Sequence, residues 1–101
     1  MRLSHPLLIA AFAAAKAGLR MLSQSLAREY GPKGVHVAHI VVDGVINGER
    51  VRKIAPEFMD RLGEDGSLDP DDMAAAFWAV HKQPRTAWTQ ELDIRPFKEN
   101  W

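Results

Sequence analysis

Apolar residues recur through the first third of the chain at three- and four-residue intervals. Phe12, Ala15, Leu19, Leu22 and Leu26 form one stripe, the repeat of an amphipathic helix. Ala10, Ala13, Ala14, Ala17 and Met21 make much of the remaining surface apolar and small. The pattern predicts a helix near 8–30, buried on two sides: one side suits a sheet, and the small-residue side admits a second helix closely. Pro6 is tolerated in the first turn, and Gly31, Pro32 and Gly34 stop the helix. "VHVAHIVV", 35–42, is β-branched without clean alternation, as in a parallel strand covered on both faces. Asp43-Gly44 breaks it.

Asn47 or Gly48 can cap a helical segment near 49–62 that carries Val51, Ile54, Phe58, Met59 and Leu62, with Pro56 expected to kink or divide it. Asp69, Pro70, Asp71 and Asp72 form a helix-start signal: a cap, a proline in the first turn and two carboxylates at the positive end of the dipole. That helix, near 70–82, carries Met73, Ala76, Phe77, Val80 and His81, and Gln83-Pro84 ends it. "AWTQELDI" then alternates Trp88, Gln90, Leu92 and Ile94 against Thr89, Glu91 and Asp93, a half-covered strand near 88–94. Two strands joined through helices imply parallel strands, a right-handed crossover and an α/β class. Two strands are too few for these helices to bury against, so residues 1–101 read as a single partial domain.

Composition narrows the function classes. The chain has 101 residues, 47% hydrophobic and 26% charged, with 13 basic against 13 acidic side chains. Such a balance implies no electrostatic pull toward nucleic acid or an anionic membrane. Cysteine is absent, which excludes disulfides, thiolate metal sites and a cysteine nucleophile and fits a reducing cytoplasm. The N-terminus, with Arg2, an apolar run from Leu7 to Ala15 and a first acidic residue at Glu29, also carries features of a secretory signal or transit peptide. One helix accounts for more of it, since the stripe runs on past any cleavage site, and the apolar run is too short to span a bilayer.

The segment "FAAAKAGLRMLSQSLAREYGPKGVHVAHIVVDGVI" resembles the catalytic helix and following strand of short-chain dehydrogenases/reductases, whose signature is Tyr-x-x-x-Lys followed by a strand ending in Pro-Gly. "LDPDDMAAAFWAVHKQPRTAWTQELDIRPF" resembles that family's last helix and last sheet strand. The resemblance implies the C-terminal half of a doubly wound, Rossmann-like fold and an NAD- or NADP-dependent oxidoreductase acting on a carbonyl or alcohol. Lys16 matches the lysine that binds the cofactor ribose and lowers the pKa of the catalytic tyrosine. Residues four apart share a helix face, so Phe12 stands in the tyrosine's place, with no hydroxyl to transfer a proton. Asp43-Gly44 stands where Pro-Gly is usual, and Ile46 matches a position whose backbone meets the nicotinamide carboxamide. Gly48 stands where a threonine often contacts the cofactor phosphate.

The family serine would fall before Met1, so Ser4 is not its counterpart, and no glycine-rich dinucleotide turn occurs here. The resemblance therefore implies a fragment inactive alone, or a non-catalytic remnant or assembly module. Self-association would run through the helix near 8–30 and the final helix and strand.

Plainer roles exist for the same residues. Lys16 can lay its methylenes over alanines and keep its charge in water, and Phe12 can be a core residue. His36 and His39, three apart in a strand, point to opposite faces and do not share a metal. His81 suits the negative pole of its helix. Helix capping accounts for most of the acidic cluster Glu64, Asp65, Asp69, Asp71 and Asp72, which lacks EF-hand spacing. Trp78, Trp88 and Trp101 supply apolar mass for a core or a subunit interface.

Overall fold

The structure, a computed structural model, describes residues 5–99; Arg2, Ser4 and Trp101 lie outside the described residues. Helix α1 spans His5–Tyr30, followed by a 3-10 turn at Gly31–Lys33, strand β1 (His39–Val42), and helices α2 (Glu49–Ile54), α3 (Pro56–Leu62) and α4 (Pro70–His81). Strand β2 (Glu91–Ile94) comes last. Local chemistry explains most boundaries. Pro32 lies in the 3-10 turn, which closes when Gly34, at φ 87°, donates its amide to Gly31 O at 2.9 Å. Pro56 divides the predicted middle helix at Ala55 (φ −136°, ψ 61°), because its ring removes an amide and clashes with the preceding turn. Asp69 caps α4, its carboxylate accepting from the Asp72 amide at 3.1 Å.

The strands pair in parallel, in register His39↔Glu91 through Val42↔Ile94. Both are shorter than the sequence pattern predicts, and side chains at the ladder's entrance account for this. The Gln83 amide oxygen accepts from Thr89 N at 2.7 Å while its nitrogen donates to Thr89 Oγ1 at 2.8 Å. His36 Nε2 lies 2.8 Å from the Thr89 carbonyl, the geometry of a ring N–H donor. Both backbone groups of Thr89 are thus taken by side chains, and the ladder begins with His39 N donating to Gln90 O at 2.8 Å. A parallel bridge, Ile46↔Leu68, ties the loop after β1 to the entry of α4.

The core differs most from expectation. Among the described residues, the buried apolar side chains are Leu68 and Val80, with Pro96. The radius of gyration is 16.5 Å, against about 13 Å for a compact domain of this length. Helix α1 has 26 residues, about 39 Å at 1.5 Å per residue, whereas four-residue strands cover roughly 13 Å. The sheet cannot cover the helix. Phe12, expected in a core, is 65% exposed, and Leu7, Ile9, Leu19 and Leu22 are exposed with it. Trp78, expected to add mass to a core or a subunit interface, is 58% exposed and so lies outside the core, while Trp88 is half-buried and stacks on His36 at 4.6 Å between ring centroids. β1 is half-buried rather than covered on both faces, and among the described residues it pairs along one edge alone.

The apolar run read as too short for a bilayer is part of a longer segment, Leu7–Lys33, which by length and composition alone could cross a membrane. Core helices and signal sequences meet the same test.

The cap of α4 gives a stability test. Asp69→Ala leaves the first-turn amides without their acceptor and should cost about 1 kcal/mol, measured as a lowered urea midpoint with an unchanged slope.

Candidate functional site: the Lys16 recess and the loop after β1

Lys16 lies in the middle of α1, one turn beyond Phe12, and its Nζ stands 5.5 Å from the Phe12 ring centroid. The group sharing a helix face with this ammonium is therefore a hydrocarbon ring, which offers a π face and no exchangeable proton. Between α1 and β1 is a recess of about 380 Å³ whose walls include Phe12, Lys16, Leu19, Arg20, His39 and Val41. Across it, Arg20 grips Glu91 with both arms of the guanidinium: Nε donates to Oε1 at 2.5 Å and Nη2 to Oε2 at 2.8 Å. His39 Nδ1 lies 3.6 Å from the same Oε1, buried and without a hydrogen-bond partner among the described residues. The hydrogen bonds from Arg20 hold the Glu91 carboxyl below its ordinary pKa against an opposing desolvation effect, with the Arg20 charge adding to the shift.

Asp43, Gly44 and Ile46 follow β1 at the carboxyl end of the sheet, where open α/β sheets place their ligands. Asp43 donates its amide to Ile94 O at 2.9 Å, and its carboxylate lies 3.8 Å from Arg95, which also pairs with Asp93 at 2.5 Å. Gly44 has φ 138°, and a Cβ there would stand 2.7 Å from Pro96 Cδ. Only glycine meets both conditions. The Ile46↔Leu68 bridge runs through the Val45 carbonyl and the Asn47 amide. The Ile46 side chain is exposed and faces an apolar groove with Met73, Phe77 and Trp78.

The residues singled out from sequence thus divide. Lys16 and Phe12 share the recess with the end of β1, where Val42 forms part of the wall. Asp43, Gly44 and Ile46 lie beyond those walls. His36 and His39 are engaged separately, one by Trp88 and Thr89, the other beside Glu91. Among the described residues no group of three or more His, Asp or Glu is placed to hold a metal ion. Sequence reasoning passed over Arg20, Glu91 and Arg95. Arg20 could have been noticed, since it repeats the Lys16 spacing on one helix face; its partner, 71 residues away, could not.

The fork has a titration signature. A carboxyl with a depressed folded-state pKa adds stability that is present above its unfolded pKa and lost as pH falls through the folded value. Glu91 should therefore titrate below an ordinary glutamate by carboxyl ¹³C NMR, and Arg20→Gln should raise its midpoint. An unchanged midpoint would show that the fork does not form in solution.

No protein-family profile matches the sequence. A crystal structure of a short-chain dehydrogenase from Rhodopseudomonas palustris is similar, with 39% sequence identity over 87% of this chain and a TM-score of 0.57. The match covers 30% of that protein's length. Sequence and backbone agree: the chain is related to a short-chain dehydrogenase, of which it spans rather less than a third.

Proposed function

We propose that the chain is the C-terminal part of a doubly wound, Rossmann-like domain of the short-chain dehydrogenase kind, catalytically silent on its own. In this reading Lys16 is the residue turned to the ribose hydroxyls of NAD or NADP. The observation that carries it is the pairing of Lys16 with Phe12 on one helix face, in a chain 39% identical to a short-chain dehydrogenase along most of its length. The ammonium that such an enzyme needs is kept, and the proton-transferring phenol is replaced by a benzene ring.

The residues present suit one end of the cofactor. Lys16 offers a donor to ribose hydroxyls, in a recess whose wall reaches Val42, the residue before the loop of Asp43, Gly44 and Ile46. The pyrophosphate has no matching cradle among the described residues: α4 starts with Asp69, Asp71 and Asp72, which repel an anion at the one helix start of useful length outside α1. The cofactor, when bound in such enzymes, supplies or accepts the hydride at a substrate carbonyl or alcohol. This chain by itself positions neither.

A second reading, a self-associating assembly module, is favoured by one observation. Leu7, Ile9, Phe12, Met21 and Leu22 are all about half exposed or more, on several faces of α1, more bare apolar surface than soluble monomers usually carry. Pairing of copies through α1, and through α4 with β2, would cover it. A cytoplasmic setting fits both readings.

Calorimetric titration should detect no saturable micromolar binding of NAD(H) or NADP(H) to the 101-residue chain. Phe12→Tyr, which restores the phenol one turn from Lys16, should by itself produce no carbonyl reduction, because hydride donor and substrate are still not held at reacting distance. Cofactor-dependent reduction by Phe12→Tyr, abolished by adding Lys16→Ala, would refute the silent-fragment reading. Sedimentation should show dimers or larger species; a folded monomer at high concentration would refute the assembly reading.

A further inference from the structure

We infer that Arg20 and Glu91 form a latch that sets where α1 presents Lys16, so that both are positioning residues for the lysine. Every described side chain of α1 from Leu7 to Leu22 is exposed, and half-buried positions begin at Ser23, with Leu26 and Ala27. Packing therefore holds the last turns of the helix and leaves the Lys16 stretch standing over an open recess. The fork crosses that gap from the turn after Lys16 to the first residue of β2, making two hydrogen bonds from one guanidinium. A bidentate arginine–carboxylate pair fixes angle as well as distance, which a single point contact would not.

The other end of the lever is a pivot. Beyond Tyr30 the chain turns through the 3-10 segment to Gly34, at φ 87°, and then runs to β1 without regular structure. Lys16 stands fourteen positions before Tyr30, about 21 Å along the axis, so a tilt of about 10° at the pivot would carry it roughly 4 Å. Displacements of that size decide whether an ammonium reaches a hydroxyl. An exposed ion pair adds little to global stability, so the latch acts on the place of Lys16 rather than on whether the chain folds. His39, 3.6 Å from Glu91 Oε1, backs the carboxylate from the β1 side. The functional meaning of the latch rests on the cofactor-facing reading of Lys16; its existence does not.

The test uses the 101-residue chain with its lysines ¹³C-dimethylated, at a concentration where sedimentation gives one species. The Lys16 signal is assigned by its loss in Lys16→Arg. Arg20→Gln and Glu91→Gln should each shift that signal and speed amide exchange across residues 8–20 by about tenfold, with exchange in β1 and α4 unchanged. The charge swap Arg20→Glu with Glu91→Arg should return both readouts toward wild type. Salt of about 1 M, which shortens screening to roughly 3 Å, should act on the wild type as the single variants do. The latch is overturned if the single variants leave signal and exchange unchanged, or if the swap fails to restore them. It is equally overturned if exchange rises in β1 and α4 too, since the pair would then support the whole fold. None of these readouts involves NAD(P), so a failed latch and a failed cofactor reading are distinguishable.

Discussion

The parallel pairing of β1 with β2 is the constraint from which the other features follow. Parallel strands cannot be joined by a tight turn, so the chain between them must cross over, and α2, α3 and α4 are that crossover. Register is set at the entrance, where Gln83 and His36 hold Thr89. From His39↔Glu91 and Val42↔Ile94 come both polar ties at the sheet's ends. Glu91 stands under Arg20 at one end, and Arg95 reaches Asp43 at the other. A slip by one residue would turn Glu91 to the opposite face and dissolve the Arg20 fork.

What the ladder cannot supply is area. Four paired residues per strand leave most of a 26-residue helix without a surface to lie on, and the apolar stripe that would ordinarily drive burial stays in solvent. Under that condition directional contacts gain weight relative to packing. The fork from Arg20, a small term in a well-covered protein, becomes the tie that reaches the sheet nearest to Lys16.

The same helix carries the chemical ambiguity of the molecule. A lysine facing a phenylalanine ring 5.5 Å away brings a charge suited to hydroxyl recognition beside a group with no proton to transfer. Kinship with a short-chain dehydrogenase extends over 30% of that protein's length. It does not by itself make the chain an enzyme, because reaction requires donor, acceptor and proton source held together.

Much was legible without the fold, and for one reason: the features concerned are settled within a turn or two of backbone. Asp69 reaches an amide three residues on, Pro56 breaks the helix at its own position, Gly31 and Pro32 close α1, and the Lys16–Phe12 spacing defines a shared face whatever surrounds it. The type and order of the elements, and with them the α/β class and the family resemblance, follow from such local rules. Strand ends, exposure and the Arg20–Glu91 fork did not follow, because each depends on groups far apart in sequence. Thr89 is withdrawn from the ladder by Gln83 and His36, and Arg20 meets a carboxylate 71 residues away. Periodicity states which face of a helix is apolar; whether that face is covered depends on the surface standing opposite, and only the tertiary structure showed that, for α1, two short strands leave most of it bare.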